Sequence, residues 1–235
     1  HDMHCQLFTR TQAGVHLTEA GRLLADRARP LLRQITLLKE QVGERAAGLL
    51  AIGAPPAWQH LFTSRFVETL AREEPGIALR VHEGLSNVLR EYMSTGVLDL
   101  AIVPYRSTSP SGYKQTALVR EPVIVVGSAG VELSPDSEVP IARLNAERLV
   151  LPGKPNVLRV QIENAMERQD MNFQLVVETD TLSLCLDLAR RGIGLTVVPA
   201  SSLYGAEADP SIHWAPLKGQ TVTWAVCENA ARSHS

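Results

Sequence analysis

The sequence predicts an α/β protein of two doubly wound, Rossmann-like subdomains preceded by a short β-hairpin and a long amphipathic helix. Three observations lead there. From Leu49 onward, short apolar runs alternate with segments of helical period, the order that builds parallel sheets covered by helices. That order occurs twice with a strand between the sets, which favours two subdomains sharing crossover strands. Ahead of both lies a narrower apolar seam that advances by alternating steps of four and three.

The hairpin comes first. Apolar Leu7-Phe8 and Val15-His16-Leu17 flank the turn-prone Gln12-Ala13-Gly14, with Arg10 near the tip. Thr18 then caps a helix whose first turn carries Glu19. The seam runs through Leu17, Gly21, Leu24, Ala28, Leu31, Ile35, Leu38 and Val42. A strip this narrow is too thin to cover a globular core and suits pairing with a second helix, so Leu17, Leu24, Leu31, Ile35 and Leu38 are expected to carry dimerisation. Packing on its own domain is the alternative. Pro30 removes a helical hydrogen bond and crowds the turn before it, which predicts a kink near Ala28 to Pro30 or a helix in two pieces.

Gly43 and Gly48 bracket the end of that helix. A strand over 49–52 follows, then the Gly53-Ala54-Pro55-Pro56 break and a helix over 57–73. Strand 77–82, helix 86–94 and the nearly all-apolar strand 98–103 complete the first set, the last reading as a parallel strand covered on both faces. The second set runs through strand 122–126, a short helix over 141–144, strand 148–151, helix 157–168, strand 174–178 and helix 181–191. Segments 195–198, 213–216 and 221–226 close the list.

Composition narrows the function. A chain of 235 residues with 45% apolar and 20% charged residues describes an ordinary globular protein. No apolar run approaches the roughly twenty residues needed to cross a bilayer, and His1-Asp2-Met3-His4 is not the start of a signal peptide, so the cytoplasm is the expected compartment. Three widely spaced cysteines, Cys5, Cys185 and Cys227, write neither a disulfide framework nor a zinc site. The formal charge of −2 is uneven: residues 1–48 hold Arg10, Arg22, Arg27, Arg29, Arg33, Lys39 and Arg45 against five acids, whereas the rest is acidic. The N-terminal segment therefore faces a polyanion better than the remainder does.

Catalysis finds no support. Nothing resembles a nucleophile elbow, a phosphate loop or a His-Glu-x-x-His site, and the histidines are scattered apart from His1 and His4. No catalytic residue and no cofactor are expected. His1, His4 and Cys5 could gather a metal, but a frayed chain start is the simpler account, and no metal is expected.

Residues 7–24 closely resemble the wing and linker helix of LysR-type transcriptional regulators, where a segment like Leu-Phe-x-Arg-Thr-x-x-Gly-Val-x-Leu-Thr-Glu-Ala-Gly ends the DNA-binding domain. The likeness continues through Leu50-Ala51-Ile52-Gly53, Pro75-Gly76-Ile77-Ala78-Leu79, Gly96-Val97-Leu98-Asp99-Leu100-Ala101-Ile102 and Gly192-Ile193-Gly194-Leu195-Thr196-Val197-Val198-Pro199. Pro152, with Glu178-Thr179-Asp180-Thr181-Leu182, looks most like the nitrogen assimilation control branch. Each motif also has a structural use: Gly192 and Gly194 suit a helix end and a tight turn, and Asp99 a backbone cap at a strand start.

The resemblance implies a DNA-binding regulator that senses a small-molecule effector and alters promoter binding or bending. Residues 1–17 would be the remnant of a winged helix-turn-helix, most of which the chain is expected to lack. Residues 18–46 would be the dimerisation helix and 49–235 the effector-binding domain, with subdomain I over 49–123 and 222–235 and subdomain II over 124–221. Arg10, Thr11 and Gln12 would touch phosphate or minor groove. The effector would sit between subdomains at helix N-termini, whose free N–H groups suit an anion. Four segments should meet it: Pro56, Ala57 and Trp58; Pro104 and Tyr105; Gly153, Lys154 and Asn156; Thr179 and Thr181. The first offers a large ring and few donors, which suggests an aromatic or more apolar ligand, or a poorly occupied site. Trp58 equally suits half-buried packing, and Lys154 a solvated surface.

The implied partners are promoter DNA, a metabolite, a second copy of the chain in a dimer or tetramer, and RNA polymerase; no membrane is implied. Two alternatives stay open. A two-lobed solute-binding protein of the periplasmic type would share the architecture but predicts a signal peptide and no basic helix. A redox sensor of the same fold requires Cys185 and Cys227 to come within disulfide reach, about 7 Å between Cα atoms.

Overall fold

The computed structural model describes the backbone of residues 8–11 and 14–17 and the whole of residues 49–108 and 112–229. The hairpin forms as read. β1 (Phe8–Thr11) pairs antiparallel with β2 (Gly14–Leu17), setting Phe8 opposite Leu17 and Arg10 opposite Val15. Leu17, the first residue of the proposed seam, is thus the last residue of β2. Leu24, Leu31, Ile35 and Leu38, the expected helix over 18–46, the expected kink at Pro30 and the residues His1, His4 and Cys5 lie outside the described residues, as does Gln12.

The rest of the chain forms two compact units, one ending at Arg120 and resuming at Thr223, the other spanning Glu121–Val222. In the first, β3 (Leu49–Ala54) lies parallel to both β4 (Ala78–Glu83) and β5 (Leu100–Pro104). The end of β10 (Ile212–Asn229) pairs antiparallel with β5, Trp224 opposite Pro104 and Cys227 opposite Ala101. Helices α1 (Ser64–Glu73) and α2 (Ser86–Ser94) bury Phe66 and Leu70, and Ser86, Leu89 and Met93, at the three- and four-residue spacing of a single face. Leu89 and Met93 pack with Ala51, Leu98, Ala101, Val103 and Cys227 in the core of this unit. Asp99 ties the strand starts together: its carboxylate accepts from the Ala51 N–H at 2.9 Å while its own N–H donates to the Ala51 carbonyl at 2.8 Å.

The second unit repeats the plan. β7 (Arg148–Leu151) lies parallel to β8 (Gln174–Glu178) and β9 (Leu195–Pro199), and the last part of β6 (Tyr113–Ser128) pairs antiparallel with β9. Helices α3 (Val157–Glu167) and α4 (Leu182–Arg190) follow β7 and β8. Alternation along β6 sends Val123 and Val125 into one cluster and Ile124 and Val126 into another, so this sheet is buried on both faces. Gly194 makes the entry to β9 possible: a Cβ there would lie 2.7 Å from the Arg148 carbonyl oxygen.

Several expectations need correction. The helix over 57–73 is three pieces: a 3₁₀ turn over Pro56–Trp58, a π turn over Gln59–Thr63, and only then α1. Pro55 and Pro56 fix an extended-then-tight entry that a regular first turn cannot follow. The strand over 122–126 is the end of the 16-residue β6, and 213–216 and 221–226 are one 18-residue strand, β10. Gly219, at φ 73°, allows β10 to pass through a stretch that reads as a turn. Among the described residues no helix is long and apolar enough to cross a membrane.

Candidate functional site

Parallel strands place their carboxyl ends on one edge of a sheet, where open α/β folds hold ligands. In the first unit that edge is formed by the exits of β3 and β5. Pro56, Ala57 and Trp58 form the turn after β3, closed by the Trp58 N–H on the Pro55 carbonyl at 3.0 Å. Trp58 is fully buried, its ring edge-on to Phe62 with 5.6 Å between centroids and tilted on Trp224 at 5.4 Å. Because Trp224 is the register partner of Pro104, one aromatic cluster gathers both predicted segments of this unit. Trp58 thus packs against Phe62 and Trp224 and lies deeper than the half-buried position its alternative reading gave it. The indole N–H finds no acceptor among the described residues, nor does the Thr63 hydroxyl in the next turn find a partner. Pro104 is buried, whereas Tyr105 is exposed, its N–H fixed by the Thr223 carbonyl at 2.7 Å.

The second unit offers the exits of β7 and β8. The Gly153 N–H donates to the Asp180 carboxylate at 3.0 Å and the Thr179 N–H to the Leu151 carbonyl at 3.0 Å, which joins the two predicted loops. The Asn156 side chain accepts from the Arg159 N–H at 3.0 Å as the N-cap of α3, and the Thr179 hydroxyl accepts from the Thr181 N–H at 3.2 Å. Gly153, Asn156, Thr179 and Thr181 are therefore brought together, with much of their hydrogen-bonding capacity spent on shaping the loops.

Lys154 is not a free cation. Its ammonium lies 2.6 Å from one oxygen of Glu163, whose other oxygen accepts from the Arg159 Nε at 2.6 Å. The buried Arg159 guanidinium also donates to the Pro152 carbonyl at 3.1 Å, lies 3.5 Å from Glu178, and sits over the Phe173 ring at 5.6 Å. Burial pushes the Glu163 carboxyl up, but hydrogen bonds from Lys154 and Arg159 outweigh it and hold it below its ordinary value. An anion reaching Lys154 must compete with Glu163. Sequence reading missed Arg159, Glu163 and Glu178; the i,i+4 spacing of Arg159 and Glu163 was the available signal, and it reads as an ordinary surface pair.

Among the described residues no group of three or more His, Cys, Asp or Glu side chains could hold a metal ion. Cys185 and Cys227 are free and buried, one in each unit. Burial raises both thiols: in Cys185 this exceeds the hydrogen bond with Thr196, and in Cys227 the nearby Arg90 charge only partly offsets it.

Residues 43–233 match the LysR substrate binding domain family. The chain belongs to it. Among the relatives of this LysR-type domain is the nitrogen assimilation regulatory protein Nac of Escherichia coli K12, 28% identical over 212 residues that cover 87% of this chain and 68% of that protein. Its fold is similar to the CcmR regulatory domain of Synechocystis PCC6803, solved in complex with 2-PG, with TM-score 0.69 and 19% identity over 78% of this chain and 88% of that one. It is likewise similar to a full-length OxyR variant from Pseudomonas aeruginosa, with TM-score 0.69 and 24% identity over 96% of this chain and 79% of that one. A further relative is OxyR of Escherichia coli K12, a DNA-binding transcriptional dual regulator, 26% identical over 202 residues that cover 85% of this chain and 66% of that protein. The LysR-type chain is accordingly an effector-binding domain of transcriptional regulators, built from two Rossmann-like units.

Proposed function

We propose that this LysR-type chain senses a small metabolite at the strand-end loops of its two units and passes the result to promoter DNA. One observation carries the reading: in each unit the predicted segments meet at the carboxyl edge of the parallel strands, Pro56, Ala57 and Trp58 with Pro104 and Tyr105, and Gly153, Lys154 and Asn156 with Thr179 and Thr181. Tyr105 and the half-buried to exposed residues 153–156 and 179–181 are the parts open to a ligand; Trp58 shapes the edge from beneath. The benzoate complex of the BenM effector domain, to which this fold is similar, supports a small organic effector for the class.

Around this sensor the proposal keeps residues 1–17 as a DNA-facing wing, 18–46 as a dimerisation helix and 49–235 as the effector domain, with subdomain I over 49–123 and 222–235 and subdomain II over 124–221. Arg10, Thr11 and Gln12 touch DNA backbone, Leu17, Leu24, Leu31, Ile35 and Leu38 pair two copies, and the regulator works in the cytoplasm, with RNA polymerase as a further partner. Effector binding changes dimer or tetramer geometry and hence half-site spacing and DNA bending. A gel shift with the intact regulator, with and without pooled metabolites, tests it: mobility or affinity changes in the wild type and not in a Tyr105→Ala, Thr181→Ala double variant. An unchanged shift in every pool removes the sensing role.

A further inference from the structure

We propose that Arg90 and Arg106, held around Gln115, form an anion-recognition point at the exit of β5, so that the effector carries a carboxylate or phosphate group there. The inference rests on the effector reading above, because Pro104 and Tyr105 belong to that site, and it assigns the ligand a charge class and two further contact residues.

Gln115 organises the pair. Its side-chain oxygen lies 3.4 Å from Arg90 Nη2 and accepts from the Arg106 N–H at 3.3 Å, while its Nε2 donates to the Arg106 carbonyl at 3.3 Å. The Arg106 backbone is thus clamped from both sides by one amide. Arg90 comes from α2 and donates through the same Nη2 to the Pro104 carbonyl at 2.6 Å. Its hydrogen bonds go only to neutral acceptors, and its buried Nε has no partner among the described residues. No ion pair links Arg90 or Arg106 to a carboxylate among the described residues.

That arrangement is unusual for charge. A half-buried guanidinium normally meets a carboxylate, because desolvating a cation is unfavourable without one. Here the charge with the largest effect on Arg90 is a second cation: burial and then Arg106 both lower its proton affinity, and only Cys227 acts the other way. Elsewhere in this unit Lys114 has Glu228 at 3.5 Å, so carboxylate partners are used where they are wanted. Arg90 supplies donors in a planar fork, and Arg106, exposed beside exposed Tyr105, supplies a second. An anionic group bridging them would replace like-charge repulsion with two charge-assisted hydrogen bonds, with the tyrosine ring beside it for an apolar remainder. In the other unit Lys154 and Arg159 are already neutralised by Glu163 and Glu178, which leaves this edge as the cationic one.

The test is ligand-induced stabilisation of the whole chain, read as melting temperature and as Kd by calorimetry at constant ionic strength. The probes are inorganic phosphate, succinate, and a cell metabolite extract split by anion exchange into retained and unretained fractions. The wild type is expected to respond to the retained fraction and to at least one simple anion, the phosphate and succinate arms telling which chemistry is preferred. Arg106→Gln, at an exposed side chain, is expected to keep the ligand-free melting temperature and weaken anion binding at least tenfold; Arg90→Lys is expected to weaken it similarly. Equal binding by Arg106→Gln overturns the proposal. So does a response confined to the unretained fraction, which would leave the effector reading standing with an uncharged ligand. A wild type that responds to no fraction overturns both.

Discussion

The Gly153 N–H donates to the Asp180 carboxylate across 3.0 Å, so the loop after β7 and the loop after β8 are held by one bond between residues far apart in sequence. A Cβ at position 153 would sit 3.1 Å from a Glu178 carboxylate oxygen, the end of a half-exposed side chain that can give way by a few tenths of an ångström. Asp180→Ala should cost about 1 kcal/mol in urea unfolding and speed exchange of the Gly153 amide about fivefold. No change in either quantity would mean that the bond does not hold the loops.

Asn156 caps α3 with its side chain. Asn156→Ala should lower stability by about 1 kcal/mol, and Asn156→Ser or Asn156→Asp should restore most of it, because any short acceptor can take the Arg159 N–H. If only asparagine supports effector response while all three capping residues restore stability, the side chain also touches ligand.

The Glu163 carboxylate, shared by Lys154 and Arg159, is held below its ordinary value. A carboxyl whose folded value is depressed contributes stability above its unfolded value and loses it as pH falls through the folded value. Unfolding free energy should therefore drop as pH falls through the acidic carboxylate range, and Glu163→Gln should flatten that slope while lowering stability near neutrality. Arg159→Met should cost about 2 kcal/mol, since Glu163 keeps Lys154 but loses its buried partner. Unfolding titrations across pH provide the check; an unaltered slope in Glu163→Gln would contradict the assignment.

Burial raises both Cys185 and Cys227. In a Cys5→Ser chain, Cys185 and Cys227 should react slowly with a thiol-specific chromogen at pH 8 while the protein is folded, and both should react within seconds after addition of denaturant. Fast reaction in the native state, or a disulfide formed by mild peroxide, would instead favour a redox switch.

Gly194 approaches the backbone of Arg148, and a methyl group there would meet that carbonyl oxygen at 2.7 Å. Gly194→Ala should destabilise by about 2 kcal/mol in thermal unfolding, with neither partner able to yield by a side-chain rotation.

What the sequence made legible was the part governed by short-range pattern. Val123 to Val126 and Leu149 to Leu151 declare buried strands by unbroken apolar runs, Leu195 to Val198 by a run interrupted only by Thr196, and the helices following β7 and β8 are announced by Asn156 and Thr181. The start of β6 and the middle of β10 were hidden because Lys114, Gln115, Lys218 and Gln220 look like loop residues, although they lie within the strands and side-chain bonds such as Gln161 to Gln220 at 2.8 Å use them. The turns over 56–63 were hidden because periodicity does not distinguish 3₁₀ and π geometry from a regular helix. The site followed the same rule. Loop positions were readable from punctuation by glycine and proline, while Arg90 and Arg159 were not, because their roles depend on Pro104, Gln115, Glu178 and Phe173, which only the fold brings near.

Amide hydrogen exchange, read by mass spectrometry on the chain with and without the metabolite fraction that raises its melting temperature, tests the central claim most directly. The account predicts slowed exchange in peptides covering 104–106, 152–156 and 179–182, with the outer strand β4 unchanged. Protection confined to other segments, with those three loops exchanging as before, would contradict it.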